Sequence, residues 1–481
     1  MENVALSDHP DRPVSPARLR RDLSSLGVLF LTLSALSPVF SVYGLGGDVL
    51  QHTGTGAAAL FIGAIGAALV WAALYAELGS AYPYAGGDYV GIGRILGPWA
   101  AFASLTIWAV TGGPYAAFMA KTIGVYVHDM LPAVPSQAVT YGSIAAALAV
   151  ALLSVRASAL VTGIFLAVEM LAILALIAAG AAHPARSLGS TLHPLVLDAS
   201  GMLVPPSLGA LALGGITAVF ATMGGNQAIA FGEEIPDPHR RIGPIVLLAA
   251  LIGALGTALP VVFAVIGSGD LVGLLKSPAP FSTFIASIAG PAAGRALSAC
   301  VALAVFNALI AQIMFCGRLF FSLGRDGIFN PLANRLLSSV HARSGAPRGA
   351  TLVLGAFGAA CCLLDSHVLA VLSSGLVIFC LALSSSAILV GRSKRLTGIP
   401  GFWRAPLHPL APLLGLLLAL VFLVAGLRDP EAGRPSILFL AGCIAASLLW
   451  HALVLQRRPG GWTPRVDSPD IPTNAQAQRA S

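Results

Sequence analysis

The sequence predicts an all-α polytopic membrane protein of 12 transmembrane helices, with helices one and six broken at the midplane. Three observations predict it. Of 481 residues, 57% are hydrophobic and only 10% charged, with a mean hydropathy of +0.85. Soluble domains carry about 25% charged residues, so this chain has too little polar side chain to coat a water-facing surface. A bilayer needs about 20 apolar residues per helical span, and runs of that order recur from residue 26 to residue 455. Two of those runs, the first and the sixth, are interrupted by residues that helices tolerate poorly.

The runs lie near 26–46, 54–76, 97–125, 137–154, 159–182, 208–231, 243–267, 296–322, 348–365, 367–391, 410–427 and 435–455. The formal net charge of +7 could suggest nucleic acid, but basic residues lying between apolar spans follow the positive-inside rule instead. With both termini cytoplasmic, only Lys121, Arg186, Lys276, Arg295, Arg428 and Arg434 of the 27 basic residues fall outside. The tail over 1–22 has Pro and both charge signs but no apolar core, so it is not a cleavable signal peptide. The six cysteines lie in or beside apolar runs without CxxC spacing, and no metal, disulfide or cofactor is implied.

In the first span, Pro38 removes a backbone donor and disfavours helix at Ser37, which predicts a break over 37–41 with Ser34, Ser37 and Ser41 around it. The second span ends at Glu77; Pro83, Gly86 and Gly87 then make a turn, and 89–96 suits a short amphipathic helix. No strand precedes the glycine pair and no Lys-Ser follows it, which excludes a phosphate loop. Trp108, Thr111 and Tyr115 of the third span are either core or vestibule lining.

Glu169 of the fifth span has more than two apolar turns on either side. An ionisable group at that depth faces a cavity or a partner. Loss of water disfavours its charge, which suits a proton carrier; a protonated carboxyl donating one structural hydrogen bond is the alternative.

In the sixth span, Thr222, Gly224, Gly225, Asn226 and Gln227 interrupt an apolar run that starts near Leu208. Each glycine costs about 1 kcal/mol in a helix interior, and backbone freed in hydrocarbon costs several more unless it is satisfied. The break is either a packing notch or a substrate site between two half-helices. Interruptions five spans apart point to an inverted-repeat transporter with its site at the midplane. Beyond it, Glu233, Glu234, Arg240 and Arg241 sit at the cytoplasmic exit, and 267–294 suits an extracellular cap helix. Asn307 and Gln312 put polar groups in the eighth span, the tenth carries five scattered serines, and the tail from 456 is polar.

Three motifs in register resemble the amino acid-polyamine-organocation permeases: Glu77 through Pro83, Gly86, Gly87, Tyr89 and Arg94; Gly224 to Pro238 with Glu233 and Glu234; and Arg318 to Pro331 with its Arg-Asp-Gly. The resemblance covers roughly 23–455 and implies a LeuT-like fold. Residues 23–182 and 207–391 would be the two halves of a 5+5 inverted repeat, 410–455 two accessory helices, and 456–481 a cytoplasmic tail. It also implies an aromatic gate at Phe220. Proton-coupled relatives carry a lysine in helix five where this chain has Glu169. An acid cannot mimic a cation, so Glu169 would instead carry a proton or ligate a cation.

An amino acid's carboxylate seeks donors and its ammonium seeks acceptors. Beside Ser37, open amides of Val39, Phe40 and Ser41 at the start of helix one's second half would hold the former. Carbonyls of Phe220 and Met223 before Gly224 would hold the latter, with Phe220 and Thr222 setting side-chain preference. Glu77 and Arg94 would form an inner gating pair. The expectation is an amino acid permease of the cytoplasmic membrane, for a neutral substrate and proton-coupled, with an amine transporter, an exchanger or a non-transporting sensor as alternatives. No midspan histidine or paired carboxylate supports an enzyme, and no continuous polar stripe supports a channel. Abundant Ala and Arg suggest a GC-rich bacterial source.

Overall fold

A computed structural model describes residues 24–83, 87–153, 159–340, 347–458 and 462. Gly86, the terminal tails and the side chains of Glu233 and Glu234 lie outside the described residues. Helix α1 (Ser25–Leu36) is capped by the Ser24 hydroxyl, which accepts from the Gly27 amide at 3.0 Å. After Ser37 the chain continues through a turn at Pro38–Phe40 and a π-helical segment at Ser41–Gly46 into α2 (Gly47–Thr53).

There follow α3 (Gly56–Ala81), α4 (Asp88–Leu96), α5 (Pro98–Met130), α6 (Ser136–Leu153) and α7 (Ala159–Ala182). Then come α8 (Leu208–Thr222), a 3-10 segment at Gly225–Glu234, α9 (Pro238–Gly267), α10 (Leu271–Lys276), α11 (Pro280–Ala289) and α12 (Pro291–Arg325). The remainder forms α13 (Pro331–Leu337), α14 (Arg348–Cys361), α15 (Ser366–Ser374), α16 (Leu376–Ser393), α17 (Leu410–Arg428) and α18 (Gly433–Trp450). Proline opens α5, α9, α11 and α12, where its missing donor has no helical acceptor to lose.

Among the described residues, eight helices are long and apolar enough to cross a membrane. Four expected spans are not among them. The first is broken, α5 is long but diluted by Ser, Thr, Trp, Gly, Pro and Tyr over 104–115, and α6 and α14 are short for a bilayer. The chain is thus a polytopic helical membrane protein. One feature departs from an all-α fold: Val196–Leu197 and Leu203–Val204 pair as a small antiparallel hairpin between α7 and α8. It is tied to the bundle by the Thr55 amide, which donates to the Leu195 carbonyl at 3.0 Å.

The core is built where α3 packs along α9 and α5 along α12. The α1 segment lies against α9 and the 3-10 segment, so both broken spans meet inside the bundle. The expected cap is two short helices, α10 and α11; Phe281 of α11 covers Tyr43 with ring centroids 5.5 Å apart.

Candidate functional site

The break in the first span is a single residue. Ser37 is left-handed with φ 43°, and Pro38 immediately restarts the helix. A restarted helix has no carbonyls behind its first amides, and here a side chain takes one of them. Val39 N–H donates to the carboxylate of Glu169, and the Ser37 hydroxyl donates to Glu169 Oε2 at 3.4 Å. Glu169 is fully buried, and its Oε1 has no partner among the described residues.

This corrects the expectation that Val39, Phe40 and Ser41 present open amides to a substrate. Glu169 occupies Val39, and Ser41 N–H bonds back to the Ser37 carbonyl at 3.1 Å. The side chains of Val39 and Phe40 are packed in the core, so neither they nor Ser37 reach the cavity; only Ser41 does.

The break in the sixth span is wider. Met223 is extended at ψ 156°, Gly224 has φ 151°, and the chain resumes as a tighter 3-10 helix. Phe220's carbonyl already accepts from Met223 N–H at 3.2 Å, leaving its second lone pair. Thr222 does not face substrate. In an apolar layer its hydroxyl turns back on its own helix, donating to Val219 O at 2.9 Å and Ala218 O at 3.1 Å.

The two breaks touch. A Cβ at Gly224 would stand 2.5 Å from Leu36 Cγ, and Leu36 is the last residue before Ser37.

Beside this junction lies an open cavity of about 130 Å³. Ser41, Phe220, Met223 and Gly224 contribute from the breaks, Trp108, Thr111 and Tyr115 from α5, and Gln312 from α12. Tyr115 links the two sides edge to face, 5.3 Å from Phe40 and 5.3 Å from Phe220. The cavity runs toward Asp88 and Tyr89 of α4, the end of the bundle at which α1 begins. At the opposite end the path is closed. There Tyr126 OH donates to the Tyr43 carbonyl at 3.0 Å, and Tyr43 OH to that of Ala172 at 2.9 Å.

The sequence reading missed Asp88, which sits in the cavity wall. Its Oδ2 accepts from Tyr75 OH at 3.0 Å and from the Trp108 indole at 3.4 Å. A first-turn acid after two glycines looks like a solvated helix start; the available signal was aromatic residues Trp71 and Tyr75 at helical spacing, their rings stacked 4.5 Å apart. Among the described residues, no Lys or Arg lines the cavity.

The inner pair also differs from expectation. Glu77 is fully buried and bound bidentately by Arg392 of α16, at 2.8 and 2.6 Å, while Ala405 N–H adds a third bond at 2.8 Å. Arg94 points to the exterior instead, because α4 turns its apolar face inward. Removing one partner of a buried ion pair costs about 3 kcal/mol or more. Glu77→Gln is therefore expected to lower the melting temperature of the detergent-purified protein clearly, and Arg94→Gln to leave it unchanged.

The sequence profile of amino acid permeases matches residues 23–447. The chain belongs to the amino acid permease family. It is a membrane transporter and not an enzyme. Asc-type amino acid transporter 1 of Mus musculus is 27% identical over 389 residues, which cover 78% of this chain and 69% of the mouse protein. The Rattus norvegicus protein of the same name aligns equally well, and the Homo sapiens one is 26% identical over 317 residues, 63% of this chain and 58% of its own. The family match begins just before α1 and includes both breaks, so the junction described above belongs to the shared permease core.

Proposed function

We propose that this permease moves a neutral amino acid through the junction of its two broken spans by alternating access, coupled to protons through Glu169. The observation that carries the proposal is the contact of the two breaks beside a cavity to which the described residues bring no basic side chain. An acidic side chain would find no counter-charge there, whereas the α-carboxylate and ammonium of any amino acid can use main-chain groups. A 5+5 inverted repeat with two accessory helices agrees with the packing: the second span lies along the seventh and the third along the eighth, each pair five apart. With both termini cytoplasmic, in a bacterial cytoplasmic membrane, the cavity faces inward and the Tyr43–Tyr126 end outward.

Asp88 favours a second reading. A carboxylate among Trp71, Trp108 and Tyr115 is a surface on which a free amine could rest, through charge and ring faces together. Uptake into proteoliposomes, measured for radiolabelled neutral, acidic and basic amino acids and for a polyamine, separates the readings. Neutral amino acids are expected to enter and acidic ones not to compete. Uptake of the polyamine alone, abolished by Asp88→Asn, would establish the amine reading instead.

Phe220 is the gate in this scheme, closing over substrate from its edge contact with Tyr115. Phe220→Ala is expected to raise the KM about fivefold, since an aromatic contact is worth about 1 kcal/mol beyond its buried area. An unchanged KM and flux would remove Phe220 from the site.

A further inference from the structure

At the closed end of the bundle, away from the cavity mouth, three side chains that could ligate a metal meet. Asp48 and His52 stand four residues apart on one face of α2, and His367 lies in the first turn of α15. One donor atom from each falls within a sphere where all three are no more than 4.8 Å apart. We propose that Asp48, His52 and His367 form a site for a divalent transition metal of the zinc class, which clamps α2 to α15 and holds that end of the transporter shut.

The hydrogen bonds already set the imidazoles for this role. His52 Nδ1 lies 2.8 Å from the Asp48 carbonyl, which can only accept, so the proton is on Nδ1 and Nε2 keeps its lone pair. His367 Nδ1 is 3.1 Å from both carboxylate oxygens of Asp48, which fixes the same tautomer when Asp48 is ionised. The two rings stack with centroids 3.6 Å apart and planes 20° from parallel. Both rings face Asp48 through Nδ1, so an ion would take a nitrogen of each and one Asp48 oxygen as ligands, with the hydrogen bonds to Asp48 giving way to it.

Two imidazoles and one carboxylate suit zinc, copper or nickel, and leave a fourth position for water. Calcium and magnesium require oxygen ligands that are not supplied here. Access is open: His52 is 40% exposed and His367 23%, with Asp48 beneath them at 8%. Asp365 and Asp429 lie near enough to His367 to deepen the local negative potential. His367 joins the Asp48–His52 pair only in the fold, because 319 residues separate it from Asp48.

The effect on transport follows from the elements bridged. The outer half of the first span and the start of the tenth must separate for this end to open, and a ligand that binds only the closed state depletes the open one in proportion to its concentration over its Kd. This consequence rests on the proposed alternating access; the binding does not.

The test begins with calorimetric titration of zinc chloride into chelator-treated, purified full-length protein. One zinc per chain in the micromolar range is expected, with no heat from calcium or magnesium. His52→Ala, whose side chain is largely outside the core, should melt like the parent and bind at least tenfold more weakly; His52→Ala/His367→Gln should not bind. Absence of binding to the parent, or binding retained by the double variant, overturns the site. In proteoliposomes, external zinc is expected to inhibit amino acid counterflow, EDTA to restore it, and the double variant to ignore it. Zinc bound without inhibition in a transport-active preparation overturns the clamp, whereas a preparation with no transport but normal zinc binding faults the proposed function and not the site.

Discussion

Glu169→Gln is expected to abolish pH-driven accumulation of substrate while leaving exchange of substrate for substrate intact. Glutamine keeps the shape of the side chain and can still accept from Ser37 and Val39 N–H, so the junction of the breaks should survive. What it loses is the exchange of a proton. In the parent, the carboxyl is fully buried, holds the first amide of the restarted helix with one side, and has Oε1 without a partner on the other. A proton arriving there changes what the group offers to Val39 and Ser37, which belong to the segment that would rock in the proposed alternating access. Inward proton movement with substrate makes uptake rise as external pH falls below internal pH. A gradient of one pH unit supplies about 1.4 kcal/mol per proton, enough for about tenfold accumulation. In the variant, the accumulation ratio should fall to one at any gradient. Loss of counterflow together with binding would instead make Glu169 a substrate counter-ion, and unchanged pH-driven uptake would take it out of the mechanism.

The features legible in the sequence are those written in local backbone chemistry. Pro38 and Gly224 mark their breaks because proline and glycine act on the residues beside them, and the structure puts the interruptions at Ser37 and at Met223–Gly224. The depth of Glu169 was legible for a similar reason, since apolar turns flank it on both sides. Its partner was not, because 132 residues separate it from Ser37. The same limit misassigned Glu77. Arg94 is close in sequence, but α16 runs beside α3 and delivers Arg392 from 315 residues away. Thr222 failed differently: polarity next to a break suggested a ligand, whereas a hydroxyl within an apolar bundle is satisfied most cheaply by the carbonyls of its own last turn. Side chains that can serve themselves are poor markers of a binding site.

Gly224→Ala is expected to disrupt the junction of the two broken spans. Two independent penalties meet there. At φ 151° and ψ −13° the backbone lies where only glycine is at ease, and a side chain in such a region costs about 1–3 kcal/mol. The added Cβ would also stand 2.5 Å from Leu36 Cγ and 2.6 Å from Leu36 Cδ1, and overpacking of that kind costs about 1–3 kcal/mol more. Leu36 cannot retreat freely, because its other side packs toward Gly253 of α9. The strain falls on the contact that joins the two broken spans, so the site should open before the bundle melts. Uptake is expected to be lost with a modest decrease in melting temperature, and substrate should no longer raise that temperature. Pairing it with Leu36→Ala separates the causes: the double variant removes the clash but not the forbidden backbone geometry. Partial recovery of substrate-dependent stabilisation would assign the remainder to the backbone. Full activity in Gly224→Ala alone would mean that the junction of the two breaks is not where substrate binds.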